Sequence, residues 1–402
     1  MRITELPTKF QLALPVLQKI QQAGFEAYFV GGSVRDTLLG LPIHDIDIAT
    51  SAYPAEIKQI FNKTVDTGIE HGTVMVLFEG QGYEITTFRT ESTYQDYRRP
   101  DKVEFVRSLS EDLKRRDLTI NAFAMDPSGQ IIDLFDGLTD LKKGLIKAVG
   151  SPQERFSEDA LRMMRALRFA SQLDFKIEKQ TFAAIKQNAP LLEKIAVERI
   201  QVEWLKLLEG KAPLQGLEAF LATEIYRYCP LLAHQVKGVE KMLTLQPFSC
   251  QDYSQAWAYV SFCLDLTKAE VNELLKAWKC ANETLQKTQQ ILKFLTALKE
   301  DALTPRSFFE AGPEAIRLAN QIAKQAGFGV QTSQLLATYA ALPIKEKKQL
   351  CLNGKDLMAL GYQPGPELGK ILAEVEQLVL EQKLVNTPQA LQSYAKQYLN
   401  QD

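Results

Sequence analysis

Ala27-Tyr28-Phe29-Val30-Gly31-Gly32-Ser33-Val34-Arg35-Asp36, followed shortly by Asp45-Ile46-Asp47, is the stretch on which the reading of this chain turns. Residues 27–30 form a short apolar run entering a glycine pair, the pattern of a strand running into a tight turn. Ser33 is then placed to cap a helix over residues 34–39. A glycine pair between strand and helix lets the backbone approach a phosphate closely, the helix N-terminus supplies aligned N–H donors, and Arg35 lies one turn inside. Such a site suits a polyphosphate. Residues 43–48 alternate apolar and acidic, the period of a half-buried strand. Asp45 and Asp47 then leave one face with Cα atoms roughly 7 Å apart, enough to converge on adjacent metal ions. Glu84, on a later hairpin, is a candidate third catalytic carboxylate. Alone, a Gly-Gly turn or an Asp-x-Asp strand is more often a plain turn or a solvated sheet face, so the weight lies in their order and separation.

The rest of the composition narrows the chemistry. At 402 residues the chain is long enough for two or three domains, and 46% hydrophobic with 24% charged residues is ordinary for a globular protein. Lys and Arg number 47 against 49 Asp and Glu, which excludes a uniformly basic coat for nucleic acid and leaves room for a local basic stripe. Cys229, Cys250, Cys263, Cys280 and Cys351 are odd in number and never spaced as Cys-x-x-Cys, so a reducing cytosol without structural zinc is expected. His44, His71 and His234 are the only histidines, too few for a metal site built from imidazole. A metal here is a hard ion held by carboxylates, magnesium rather than zinc. Glu5 interrupts the positive start a signal peptide would need, and no apolar run reaches membrane-spanning length. A cytoplasmic location and no membrane partner are the corresponding expectations.

The first 150 residues alternate helical and strand patterns, whereas almost everything after Phe156 reads as helix broken by Gly, Pro and Asn. The expected class is α+β: an N-terminal mixed α/β head at 1–147, then an elongated all-α remainder with a neck at 148–210, a body at 211–285 and a tail at 286–402. In the head, Leu12, Val16, Leu17 and Ile20 make a helical stripe ending near Gly24, and residues 74–78 and 83–88 make a hairpin. In the tail, Thr304-Pro305 opens a helix expected to end near Gly312. Residues 355–360, a glycine-rich turn at 361–366 and a helix at 367–383 form a helix-turn-helix unit.

Two further motifs, Arg115-Arg116-Asp117-Leu118-Thr119-Ile120-Asn121-Ala122 and Glu158-Asp159-Ala160-Leu161-Arg162, join the glycine turn and the paired aspartates. Together they resemble the nucleotidyltransferase core of the DNA polymerase beta superfamily and, more closely, the bacterial class II CCA-adding enzymes. The resemblance implies template-independent addition and repair of the 3′-terminal CCA of tRNA from CTP and ATP, by in-line attack of the tRNA 3′-hydroxyl with release of pyrophosphate. It implies two magnesium ions on Asp45 and Asp47, nucleotide contacts from Gly32, Arg35, Arg116, Asp159, Arg162, Arg165 and Arg168, and tRNA on the tail. Asp117 and Asn121 fall in the same motif and are expected near the sugar. Whether the chain works as a homodimer is left open, as are the relatives that add only CC, only A or poly(A), and a catalytically silent tRNA-binding protein.

The last motif has its own chemical logic. With Ser157 as N-cap of a helix over 157–169, Asp159, Arg162, Arg165 and Arg168 follow at three-residue steps, placing Asp159 and Arg162 side by side. Elsewhere that spacing usually means a surface ion pair. Cytosine and adenine, however, both present an amine donor beside a ring-nitrogen acceptor, and uracil and guanine present the opposite polarity. A carboxylate beside a guanidinium matches the first pair, and the resemblance implies that this is how the nucleotide is chosen. From 142 to 168 seven cations face three carboxylates, the expected basic stripe. Glu91-Ser92-Thr93-Tyr94-Gln95-Asp96-Tyr97-Arg98-Arg99-Pro100 resembles the loop the family needs when specificity moves from CTP to ATP, which favours complete CCA addition.

Overall fold

The apolar run at 27–30 becomes the third strand of a seven-stranded mixed sheet. A computed structural model describes residues 1–91, 94–95, 99–100, 103–245 and 249–399. The chain divides into two units, Met1–Val236 and Lys237–Asp402.

In the first unit, β1 (Ala27–Val30) pairs antiparallel with β2 (Asp47–Thr50). β3 (Thr64–Gly68), β4 (Thr73–Phe78) and β5 (Gln81–Thr87) form an antiparallel meander containing the expected hairpin. β6 (Arg89–Glu91) pairs with β9 (Val103–Phe105), and between them β7 (Tyr94–Gln95) pairs with β8 (Arg99–Pro100). Of the loop tied to the CTP-to-ATP switch, residues 92, 93 and 96–98 lie outside the described residues. β10 (Phe123–Met125) and β11 (Ile131–Asp133) complete the order β11-β10-β1-β2-β5-β4-β3, in which β2 and β5 run parallel. Val30, Ala49, Phe88, Leu113 and Ala124 form a buried cluster on one face. Each large apolar side chain so buried contributes roughly 1.5–3 kcal/mol before the entropy of ordering it.

On the other face, α1 (Thr8–Gln22) sets Phe10 edge-on to Phe29 with ring centroids 4.7 Å apart. It buries Phe10, Ala13, Val16, Leu17 and Ile20, whereas Leu12, expected in the stripe, is 47% exposed. The core-facing register runs 10-13-17-20 at helical spacing, which turns position 12 outward. α2 (Gly32–Leu38) starts two residues earlier than expected. Ser33 lies inside it and donates to Val30 O at 3.1 Å, so it is not the cap; the left-handed Gly31 (φ 72°) makes the turn. α3 (Pro54–Ile60), α4 (Leu109–Lys114) and α5 (Gly137–Lys143) complete the head.

Beyond the short parallel pair β12 (Leu145–Ile146) and β13 (Lys176–Ile177) the unit is helical: α6 (Pro152–Glu158), α7 (Leu161–Leu173), α8 (Lys179–Asn188), α9 (Val197–Leu208) and α10 (Pro213–Ala222). The single helix expected over 157–169 is not formed. Ser157 sits inside α6, Asp159 is extended (φ −133°, ψ 105°), and a new helix begins at Leu161. Leu161, Met164 and Leu167 pack inward as expected. α10 lies close on α7 and α9 because Gly216 has no side chain: a Cβ there would come within 2.9 Å of Leu167 O.

The second unit is helical among the described residues. α11 (Val236–Thr244) leads into α12 (Tyr253–Cys263), α13 (Lys268–Ala277), α14 (Asn282–Lys299), α15 (Pro305–Gln325) and α16 (Thr332–Ala340). Trp257 meets Trp278 with centroids 5.1 Å apart, and Phe294 meets Phe308 at 5.3 Å. α15 does not stop at Gly312; the chain kinks there (φ 68°) and Pro313 restarts the helix. The helix-turn-helix unit is α17 (Gly354–Ala359) and α18 (Pro366–Leu380), followed by α19 (Pro388–Leu399). All five cysteines are free. No helix among the described residues is long and apolar enough to cross a membrane.

Candidate active site

The glycine turn, Arg116 and Asp47 meet at one end of the sheet. Gly31 combines φ 72° with ψ −135°, and a Cβ on it would lie 3.1 Å from Arg116 Nη1 and 3.8 Å from Asp47 Oδ2. Arg116 is held from α4 by the buried Asp112 (Nη2 to Oδ2, 3.3 Å), and its Nη1 donates to Asn121 O at 3.3 Å. Its Nε is buried without a hydrogen-bond partner among the described residues, a donor left for a ligand. Arg35 donates through Nε to Asp36 at 2.8 Å and through Nη1 to Asn121 Oδ1 at 2.6 Å, with Gly32 beside it.

Two aspartates flank this point, but they do not share a strand. β2 begins at Asp47, and Asp45 lies in the irregular lead-in over 41–46. Asp47 stands in register opposite Glu84 on parallel β5. Partial desolvation and the Glu84 carboxylate push the Asp47 carboxyl above its ordinary value, Arg116 opposes them, and Asp45 adds to the rise. A cleft of about 340 Å³ carries Asp45, Asp47 and Glu84 in its wall.

The Glu158–Arg162 motif is wired differently from its spacing. Arg162 pairs with Glu158 (Nη1 to Oε2, 2.7 Å) and donates to Arg115 O at 2.9 Å. Asp159 Oδ2 instead receives Arg199 Nη2 from α9 at 2.8 Å, and its Oδ1 accepts from Leu161 N at 3.0 Å. The helix expected to run unbroken through Asp159 and Arg162 instead breaks at the extended Asp159. Arg165 Nε donates to Asp117 Oδ2 at 2.6 Å, and Asp117 also accepts from Asn121 Nδ2 at 3.2 Å. Arg168 pairs with the buried Glu203 of α9 at 3.1 Å. The guanidiniums of Arg35, Arg165 and Arg168 all lie over Phe169, at 4.8, 5.6 and 4.0 Å from its centroid.

Burial alone would raise the Asp117 carboxyl, but Arg165 and the hydrogen bonds around it hold it far below the usual carboxylate range. Burial lowers Arg168 to about 10 against the pull of Glu203. The basic stripe is therefore largely internal: Arg155, Arg162, Arg165 and Arg168 each meet a carboxylate.

Residues 27–147 match the family described as Poly A polymerase head domain, 174–235 an RNA and SrmB-binding site of polymerase A, and 248–395 tRNA nucleotidyltransferase domain 2. The CCA-adding enzyme of Ligilactobacillus salivarius is 56% identical over 402 residues, 100% of each chain. That of Limosilactobacillus reuteri is 55% identical over 392 residues, 97% of each. The chain belongs to the CCA-adding enzyme family. Among solved structures, the Bacillus stearothermophilus CCA-adding enzyme in complex with CTP matches with a TM-score of 0.89 and 38% identity over 98% of this chain and 99% of that one. The Thermotoga maritima CCA-adding enzyme, at 23% identity and a TM-score of 0.66, shares the fold.

Within this CCA-adding enzyme the site residues named from sequence fall into two groups: Gly32, Arg35, Arg116 and Asp47 around the glycine turn, and Asp159, Arg162, Arg165 and Arg168 around α7. Asn121 and Asp117 link them, joining Arg35 to Arg165. Sequence reading missed Arg199, Glu203 and Phe169. The available signal was Glu203, an acidic residue set among Ile200, Trp204 and Leu207 in the buried stripe of α9 and four positions from Arg199. Among the described residues no group of three or more His, Cys, Asp or Glu is close enough to hold a metal ion by itself. The donor set still fits magnesium, which binds through one or two carboxylates, keeps several waters and takes its remaining ligands from substrate phosphates.

Proposed function

We propose that this enzyme adds and repairs the 3′-terminal CCA of tRNA without a nucleic-acid template, using CTP and ATP. The full-length 56% identity to a CCA-adding enzyme carries this reading, supported by the CTP complex of the 38% identical relative. Gly31 and Gly32 present backbone to the triphosphate, and Arg35 and Arg116 balance its charge. Asp45 and Asp47 would hold divalent ions, magnesium by their hard oxygen donors, with Glu84 opposite Asp47. Held there, such ions would supply a lowered pKa for the attacking hydroxyl and neutralisation of the charge on the leaving phosphate. The tRNA 3′-oxygen bonds to the α-phosphorus, the bond to the bridging oxygen breaks, pyrophosphate leaves with the electron pair, and the hydroxyl proton passes to water.

Asp159 and Arg162 face the base, with Arg165 and Arg168 completing the nucleotide site. For CTP or ATP, Asp159 accepts from the exocyclic amine and Arg162 donates to the ring nitrogen, a pairing that UTP and GTP reverse. In this division of labour the head is 1–147, the neck 148–210, the body 211–285 and the tRNA-binding tail 286–402.

The test is incorporation on tRNA ending before C, after C and after CC, with all four nucleotides and product sequencing. Products ending in CCA from all three substrates are expected. Arrest at CC, addition of A alone, or continued A addition without CTP would replace this reading with one of the specialist relatives, and binding without incorporation would replace it with a silent tRNA-binding protein.

A further inference from the structure

We infer that Phe169 is a positioning residue for the nucleotide: its ring gathers the guanidiniums of Arg35, Arg165 and Arg168 into one bundle and so sets the affinity for the nucleoside triphosphate without reading the base. This deepens the proposed function and rests on it, since those three arginines are the ones proposed to hold CTP or ATP. Phe169 lies on α7 and is only 5% exposed. Arg165 precedes it by four residues and so shares its helix face, and Arg168 is its immediate neighbour. Arg35 comes from α2, where its Nη2 lies 3.6 Å from the point a Cβ on Gly32 would occupy. The three guanidinium carbons stand 4.8, 5.6 and 4.0 Å from the ring centroid, within the range over which the ring quadrupole attracts a cation. The ring therefore joins the helix of the glycine turn to the helix of the neck.

Three like charges held this closely repel one another. Burial lowers Arg168 to about 10, and Arg165 and Arg35 push it the same way against the pull of Glu203. Carboxylates relieve the cations from the sides: Asp36 takes Arg35 at 2.7 Å, Asp117 takes Arg165 at 2.6 Å, and Glu203 takes Arg168 at 3.1 Å with Arg165 3.9 Å away. Of these partners, the ring is the one that meets all three guanidiniums.

A phenyl ring attracts a cation through its quadrupole and carries no net charge. A further carboxylate in its place would draw the guanidiniums together and cancel one of the charges an incoming polyphosphate needs. An aliphatic side chain would fill the space and leave the repulsion unrelieved. Asp159 and Arg162, the pair proposed to face the base, are held elsewhere, by Arg199 and Glu158. The contribution of Phe169 is therefore expected to be the same for CTP and ATP.

The experiment uses the full-length enzyme carrying phenylalanine with one, two or three ring fluorines at position 169, a series that withdraws π charge stepwise at nearly constant shape. Equilibrium dialysis is expected to show the CTP and ATP dissociation constants rising with each fluorine, to about tenfold at the third, the scale of the weakened cation–π contacts. Single-nucleotide incorporation on tRNA ending before C should show the same rise in the KM for CTP, with kcat and the preference for CTP over UTP within about twofold of the wild type. Phe169→Leu is expected to match or exceed the trifluorinated enzyme. A purely structural role would lower the unfolding temperature of Phe169→Leu and leave the fluorine series flat. A flat series, or a loss of base preference at unchanged affinity, overturns the assignment to Phe169 and leaves the proposed function standing. A wild type that binds CTP but adds no C strikes the proposed function instead, and the dissociation constants still decide on Phe169.

Discussion

Asp159 Oδ2 and Arg199 Nη2 are 2.8 Å apart, a bond that fastens the start of α7 to α9. The carboxylate proposed to face the base thus has its own cation, just as Arg162 has its own anion in Glu158 at 2.7 Å. A base reader works by refusing the wrong polarity, and refusal requires donors and acceptors that cannot swing aside to suit UTP or GTP. Arg199 fixes Asp159, and its Nη1 is buried without a hydrogen-bond partner among the described residues, so a second donor stands beside that carboxylate. Arg199→Ala is expected to lower the preference for CTP over UTP about tenfold, the scale of one charge-assisted hydrogen bond. Arg199→Lys should restore part of it. Single-nucleotide incorporation rates with CTP and UTP measure this, and an unchanged ratio with a uniformly lower rate would mean that Arg199 only supports the fold.

The buried Asp117 makes the linkage between the two halves of the site sensitive to acid. The unfolded chain protonates this group near the ordinary carboxylate value of about 3.9. In the folded protein, Arg165 keeps it ionised far below that, despite the burial that works the other way. The stabilisation is therefore complete above about pH 5 and is lost as the pH falls through the unfolded value toward the folded one. Asp112, held low by Arg115 and Arg116 against its burial, adds to the same fall. Asp117→Asn strands Arg165 and should cost about 3 kcal/mol at pH 7. It should also flatten the loss of stability between pH 5 and 3 in urea unfolding, and slopes parallel to the wild type would show that Asp117 is not the linked group.

Much of this was legible in the chain because local chemistry decided it. Gly31 has to be glycine at φ 72°, the five cysteines carry no pairing pattern, and the switch from strand to helix after Phe156 follows the change of hydrophobic period. The errors arose where a long-range partner overrode a local pattern. Three-residue steps suggested one helix through Asp159 and Arg162, but the chain is extended at Asp159, which Arg199 holds, and a new helix begins at Leu161. Leu12 fits an apolar stripe by spacing alone, and only the packing of Phe10 on Phe29 fixes the register that turns it outward. Nothing in the Glu158–Arg162 motif points to α9, because Arg199 and Glu203 reach Asp159 and α7 through the fold and not through adjacency in sequence.

Asp47 sits opposite Glu84 with Asp45 nearby, and burial together with this acidic concentration raises the Asp47 carboxyl while Arg116 opposes the rise. A divalent ion relieves it better, so metal and nucleotide should bind cooperatively. Asp45→Ala and Asp47→Asn are each expected to reduce incorporation by about a thousandfold or more while tRNA affinity stays within a few-fold, since the lost term acts on the developing charge of the reaction. Chelation of divalent ions should silence the wild type in the same assay, with recovery on adding magnesium. Near-normal turnover by Asp45→Ala would remove it from the metal site.

Gly31 and Gly32 are neighbours with different tasks, and stability separates them. An alanine at Gly31 adopts a backbone conformation that L-residues rarely take, and its Cβ comes within 3.1 Å of Arg116 Nη1. Strain of this kind costs about 1–3 kcal/mol. At Gly32, the first residue of α2, the added Cβ meets Arg35 Nη2 at 3.6 Å, an ordinary contact. Gly31→Ala is therefore expected to lower the unfolding temperature and to weaken CTP binding tenfold or more, about 1.4 kcal/mol for each factor of ten. Gly32→Ala should leave the unfolding temperature unchanged and weaken CTP alone, because its methyl group projects where the triphosphate approaches the backbone. Calorimetric melting and equilibrium dialysis with CTP read the two effects independently. Intact CTP affinity in Gly32→Ala would move the triphosphate away from this turn, whatever the Gly31 variant did.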